Sequence, residues 1–233
     1  MSLYFILLIG SIAVPLLLSF DKKLQFYKQW KFVLPSIAIV AAFYIICDIY
    51  LTRAGVWGFN PRYHSDILLI GLPVEEWLFF IIIPYASIFL HEAFILYFPK
   101  IQLNNKLSQT ITIIFIVILI LLAVFNLSKT YTVYASALMI FSLILSLLGK
   151  SSILKSFYIT FLLILIPFLI VNSILTGSFI ESEVVWYNNN ENLGIRLFTI
   201  PVEDFAYGFS MILFNLLLIN KLKKVLKPKQ LSN

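Results

Sequence analysis

Charge is scarce in this 233-residue chain. Only 12% of its residues are Asp, Glu, Lys or Arg, and 61% are hydrophobic, against roughly 25% charged and 45–50% apolar in soluble domains. That balance excludes an ordinary soluble domain and marks an integral membrane protein. Cysteine is nearly missing as well. The lone Cys47 has no partner for an intramolecular disulfide, and no Cys/His spacing suggests a metal site. The chain has no Gly-rich phosphate loop, dinucleotide fingerprint or Ser nucleophile elbow. No cofactor is expected.

Residues 197–219 lack the lysine that a retinal Schiff base needs, and no clustered Asp/Asn motif suits magnesium-diphosphate. The net charge of +6 is no nucleic-acid signal, because the excess falls in loops and the tail, where the positive-inside rule accounts for it. The N-terminus has no basic region and no small-residue cleavage site, so its first apolar run reads as a retained span rather than a signal peptide.

What is abundant is apolar length. Spans of ~20 residues predict an all-α polytopic protein with about seven transmembrane helices, at 3–20, 32–51, 67–90, 109–127, 131–148, 156–176 and 197–219. Of the 17 Lys and Arg, all but Arg53, Arg62, Lys129 and Arg196 fall after the odd-numbered spans or in the tail. This predicts an N-terminus outside and a cytoplasmic C-terminus.

The chain repeats itself. Pro73-Val74-Glu75-Glu76-Trp77 returns 128 positions later as Pro201-Val202-Glu203-Asp204-Phe205. Upstream, Asp48-x-x-x-Thr52 is echoed by Asn172-x-x-x-Thr176, and the loop 55–60 with its Trp57 matches 184–188 with Trp186 at an offset of 129. Two parallel three-helix units, 1–106 and 129–233, joined by a connecting helix in 107–128, account for this pattern.

A carboxylate at membrane depth costs at least ~2.5–3.5 kcal/mol on the insertion scale, so four of them need a reason. A proline followed by acids is also an ordinary helix start. The apolar residues before each phrase, and the second copy, argue for more. Burial favours the neutral acid, and adjacent carboxyls resist joint ionisation. A neutral acid beside a carboxylate is a proton donor beside an acceptor, a pairing that can protonate an alkene and collect a proton from the resulting cation. Aromatic faces stabilise such a cation. Trp77, Phe80, Phe205 and Tyr207 follow the acids closely enough to serve. Asp48, Thr52, Asn172 and Thr176 sit at helix ends on the same side and suit either a substrate cavity or helix capping. His91-Glu92, roughly five turns below Glu75, reads as a solvated pair at the cytoplasmic boundary.

The doubled Pro-Val-Glu-Glu and Pro-Val-Glu-Asp phrases, each after an Asp/Asn-x-x-x-Thr helix end and a Trp-bearing loop, resemble the membrane-integral lycopene cyclases of the heterodimer type. The resemblance is to their fused form, as in bacterial carotenoid cyclases and the cyclase domain of fungal lycopene cyclase/phytoene synthases. It implies redox-neutral cyclisation of lycopene ψ-ends to the ionone rings of γ- and β-carotene. It also implies catalytic carboxyls at Glu75, Glu76, Glu203 and Asp204, a linear carotenoid as substrate, membrane lipid as surroundings and a bacterial inner membrane as location. Which carboxyl donates, which accepts, and whether the chain forms a homo-oligomer stay open. A membrane transporter or proton-coupled carrier, or a carotenoid hydratase in which water traps the cation, are the alternatives.

Overall fold

Long apolar runs with few charges fold as helices, because in lipid every backbone polar group must be satisfied within the segment. The computed structural model describes residues 1–149 and 152–226, so Lys150, Lys227 and Lys229 lie outside the described residues. Seven helices follow in order: α1 (Leu3–Leu18), α2 (Trp30–Arg53), α3 (Val74–Tyr97), α4 (Asn105–Phe125), α5 (Thr130–Leu148), α6 (Ile153–Leu175) and α7 (Glu203–Val225). All except α1 are long and apolar enough to cross a membrane. With 16 residues, α1 extends only about 24 Å, short of a hydrocarbon core about 30 Å thick. The Leu127–Thr130 connection is a true break, since α4 ends at Phe125 and α5 begins at Thr130.

The third and seventh helices begin later than the hydropathy predicts. Residues 67–73 form a hairpin instead, β2 (Leu68–Leu69) paired with β3 (Leu72–Pro73), with positive φ at Ile70 and Gly71. Its counterpart is β5 (Arg196–Leu197) paired with β6 (Ile200–Pro201), with positive φ at Phe198. A short apolar run reads alike as strand or helix, which is why hydropathy alone extends both helices backwards. Ile70 and Phe198 are exposed. Side chains of this kind rarely occupy the left-handed region, and here they carry apolar surface outward at both hairpin tips.

The duplication is a local two-fold. Strands β1 (Trp57–Phe59) and β4 (Val185–Tyr187), one from each half, pair antiparallel with Gly58 opposite Trp186. The Asn60 N–H donates to Val184 O and the Asn188 N–H to Val56 O, both at 2.9 Å. These reciprocal bonds make Trp57 equivalent to Val185 and Gly58 to Trp186, so the loops correspond at 128 and not at the 129 that matching the tryptophans suggests. A Cβ on Gly58 would lie 2.4 Å from the Trp186 ring, so glycine is needed where the two loops cross. The first helices correspond too: Tyr4 N–H donates to Tyr63 O, and Tyr131 N–H to Glu191 O. Helix α4 lies outside this arrangement, against α5 and α6.

Candidate functional site

Each carboxylate phrase starts a helix, so its two acids point about 100° apart. The first acid of each pair turns back to its own loop. Glu75 accepts from Ser65 N–H (2.7 Å), Ser65 Oγ (3.0 Å) and Ser2 Oγ (2.6 Å). Glu203 accepts from Leu193 N–H (2.8 Å) and Thr132 Oγ1 (2.6 Å) on one oxygen, while its Oε2 has no hydrogen-bond partner among the described residues. Ser65 and Leu193 are themselves 128 positions apart.

The second acid of each pair faces inward. The Tyr4 hydroxyl donates to Glu76 at 2.5 Å. Tyr131, its counterpart at the second residue of α5, donates to Asp204 Oδ1, and Tyr187 donates to Asp204 Oδ2 at 3.1 Å. Burial and the neighbouring Asp204 carboxylate push the Tyr187 phenol, on β4, above its ordinary pKa. A third acid joins them from α2: Asp48 accepts from Trp57 Nε1 at 2.6 Å, and its buried Oδ2 makes no hydrogen bond among the described residues.

Glu76, Asp204 and Asp48 line one cavity of about 660 Å³; Glu75 and Glu203 do not. Its polar end also holds Asn172, Thr176, Tyr4, Trp57, Tyr131, Tyr187 and Tyr207, and the remainder is mostly apolar apart from Ser11 and Ser87, running between α1, α3, α6 and α7 towards Pro15, Leu90 and Phe161. From Glu76 to Leu90 along α3 is about 21 Å. Aromatic rings crowd the acids. Trp57 meets Tyr131 edge-on with centroids 5.0 Å apart, Tyr131 stacks on Tyr187 at 5.7 Å, and Tyr207 lies 6.3 Å from Tyr131.

The remaining expected substrate-binding residues lie off the cavity wall. Trp77 donates to Leu69 O on its own hairpin (3.2 Å). Phe80 is buried in a core shared by α2, α3, α5 and α7, Phe205 packs on the Phe168 ring at 5.1 Å, and Thr52 stands one turn beyond Asp48. His91 is not solvated: it is buried against Thr160 Oγ1 at 2.7 Å, while Glu92 pairs with Lys223 at 3.1 Å. At the polar end of the cavity, Tyr4, Tyr131 and Tyr187 are residues that sequence reasoning did not single out, and Trp57 was marked only as part of the repeated loop. Only the Trp-bearing loop offered a signal for any of them.

The lycopene cyclase family model matches residues 1–94 and again residues 128–222, one match on each half. The chain belongs to the lycopene cyclase family. No curated protein and no solved structure gives a match. Membership associates this cyclase-family chain with carotenoid cyclisation, and so with a carotenoid substrate in a lipid environment. The two matched segments leave out α4 and contain all three cavity acids, Asp48 and Glu76 in the first and Asp204 in the second.

Proposed function

We propose that the chain cyclises the ψ-ends of lycopene to ionone rings without redox change, and that Asp48, Glu76 and Asp204 carry the proton chemistry. The observation behind this reading is the meeting of three acids and five aromatic phenol or indole groups at one end of an otherwise apolar cavity. Asp48 is assigned as donor. A buried anionic oxygen with no hydrogen bond is costly, whereas a neutral carboxyl can aim its O–H at an alkene. Its proton adds to the terminal C1=C2 bond and leaves a tertiary cation. The C5=C6 π-electrons then form the ring bond, and the charge moves to C5. Asp204 accepts a phenolic hydrogen bond on each oxygen, as a carboxylate acceptor does, and is assigned as the base that removes the ring proton. Glu76, held by Tyr4, faces the same cation and adds to its stabilisation, with the surrounding aromatic faces. One proton enters and one leaves, so the product is an isomer.

Glu75 and Glu203 then act through position. Each fixes the first turn of its helix to its loop and thereby orients the acid that follows. Residues 1–106 and 129–233 are read as the two cyclase-type units, with 107–128 as connector, the N-terminus outside and the C-terminus cytoplasmic. The test is expression in a lycopene-producing host with analysis of the extracted pigment. Ring-bearing carotenoids of unchanged mass are expected from the wild-type chain and should be lost in Asp48→Asn, Glu76→Gln and Asp204→Asn. A product heavier by one water would turn the reading to a hydratase, and unaltered lycopene would turn it to transport.

A further inference from the structure

Glu76 and Asp204, equivalent at 128 positions, meet at one polar end, so two symmetry-related apolar arms can leave it. One runs between α1, α3, α6 and α7 and is the open cavity. Its symmetry mate runs between α5, α7, α2 and α3 and is solid core. Equivalent residues explain the difference. Along α7 and α3, related at 128 positions, Gly208 lines the open arm while Phe80 fills the closed one. Along α1 and α5, related at 127 through Tyr4 and Tyr131, Ser11 on the open side corresponds to Leu138 on the closed side. In each pair the larger side chain sits in the closed arm. Phe80 is 1% exposed, and its ring lies 6.1 Å from Tyr44 and 6.5 Å from Tyr207.

We propose that the molecule has a single reaction centre served by one apolar arm, kept open by Gly208 and Ser11, and that Phe80 and Leu138 plug the arm that duplication would otherwise have provided. This rests on the cyclase reading of the cavity. It follows that a symmetric polyene presents its ends in turn. After the first ring closes, the chain must withdraw and return reversed before the second can form.

The test is binding of all-trans lycopene to the purified full chain in detergent, read by the absorbance of the bound polyene, beside thermal unfolding of the same samples. One polyene per chain is expected. Gly208→Phe and Ser11→Leu, which copy the plug into the open arm, should each weaken binding by about tenfold or more with the unfolding temperature retained. The double variant Phe80→Gly with Leu138→Ser should raise the stoichiometry from one to two. Two polyenes on the wild-type chain, undiminished binding in both plug-copying variants, or a folded unplugged variant still binding one would each overturn the proposal. If Gly208→Phe or the unplugged chain does not fold, Ser11→Leu and the wild-type stoichiometry decide. One-to-one binding that the plug abolishes, with no ring formed, would remove the cyclase reading and leave the single arm standing. Rings formed by a chain that binds two polyenes would do the reverse.

Discussion

Trp57 Nε1 donates to Asp48 Oδ1 at 2.6 Å, while the other Asp48 oxygen is buried without a hydrogen bond among the described residues. Removing this indole N–H should let the carboxyl turn. Trp57→Phe is therefore expected to lower ring formation by about tenfold, the equivalent of one hydrogen bond to a reacting group. Asp48→Asn should lower it by roughly 10²–10⁴, the usual contribution of a general acid. Initial rates of ring formation in isolated membranes supplied with lycopene check both. Equal losses in the two variants would mean that Asp48 only anchors the indole.

Asp204 has two phenol donors, the two members of the stacked Tyr131–Tyr187 pair. Either Tyr→Phe change leaves one donor, and a loss of about tenfold is expected from each. The double change strands a buried carboxylate, so its loss should exceed the product of the single losses. The same membrane assay measures this coupling.

Glu75 and Glu203 are expected to separate stability from chemistry. Glu75→Gln places an amide where Ser65 N–H and two hydroxyls donate, and Glu203→Gln does so at Leu193 and Thr132. Each should cost on the order of 1–3 kcal/mol of stability. Thermal unfolding in detergent should show this, while the folded fraction keeps most of its rate per molecule. A chain of normal stability with no ring formation would place these two acids in the chemistry instead.

Gly58 is a tight point of the join between halves. A Cβ there would enter the Trp186 ring, so Gly58→Val should force the β1–β4 pair apart and sharply reduce the amount of folded protein in the membrane. Gly58→Val with Trp186→Ala is expected to recover part of it. Protein level and unfolding temperature give the readout.

The helices and the duplication were legible because apolar length and the repeated acidic phrase are both carried by consecutive residues. Which acid of each phrase faces the cavity was not, since the answer turns on where the helix begins. The apolar stretches 67–72 and 197–200 hide two hairpins, and where each hairpin hands over to its helix decides which acid turns back to the loop. Tyr4 and Tyr131 gave no local signal. Their partners lie 72 and 73 positions away, and in a chain with 12 tyrosines nothing adjacent sets them apart. Asp48 was visible as a polar helix end, but its hydrogen bond comes from a loop tryptophan nine positions on. The matching tryptophans misled by one residue, because equivalence follows the paired strands and not the residue type.

Helix α4 supplies no wall of the cavity and spans the interval that the family match skips. Every hydrogen bond that shapes the acids is made within or between the two flanking halves. Under the proposed division, α4 as connector would act chiefly on encounter, holding each half at a high effective concentration for the other. Two separately encoded halves with the same contacts would meet the same chemical requirement whenever their abundance in the membrane replaced that tether.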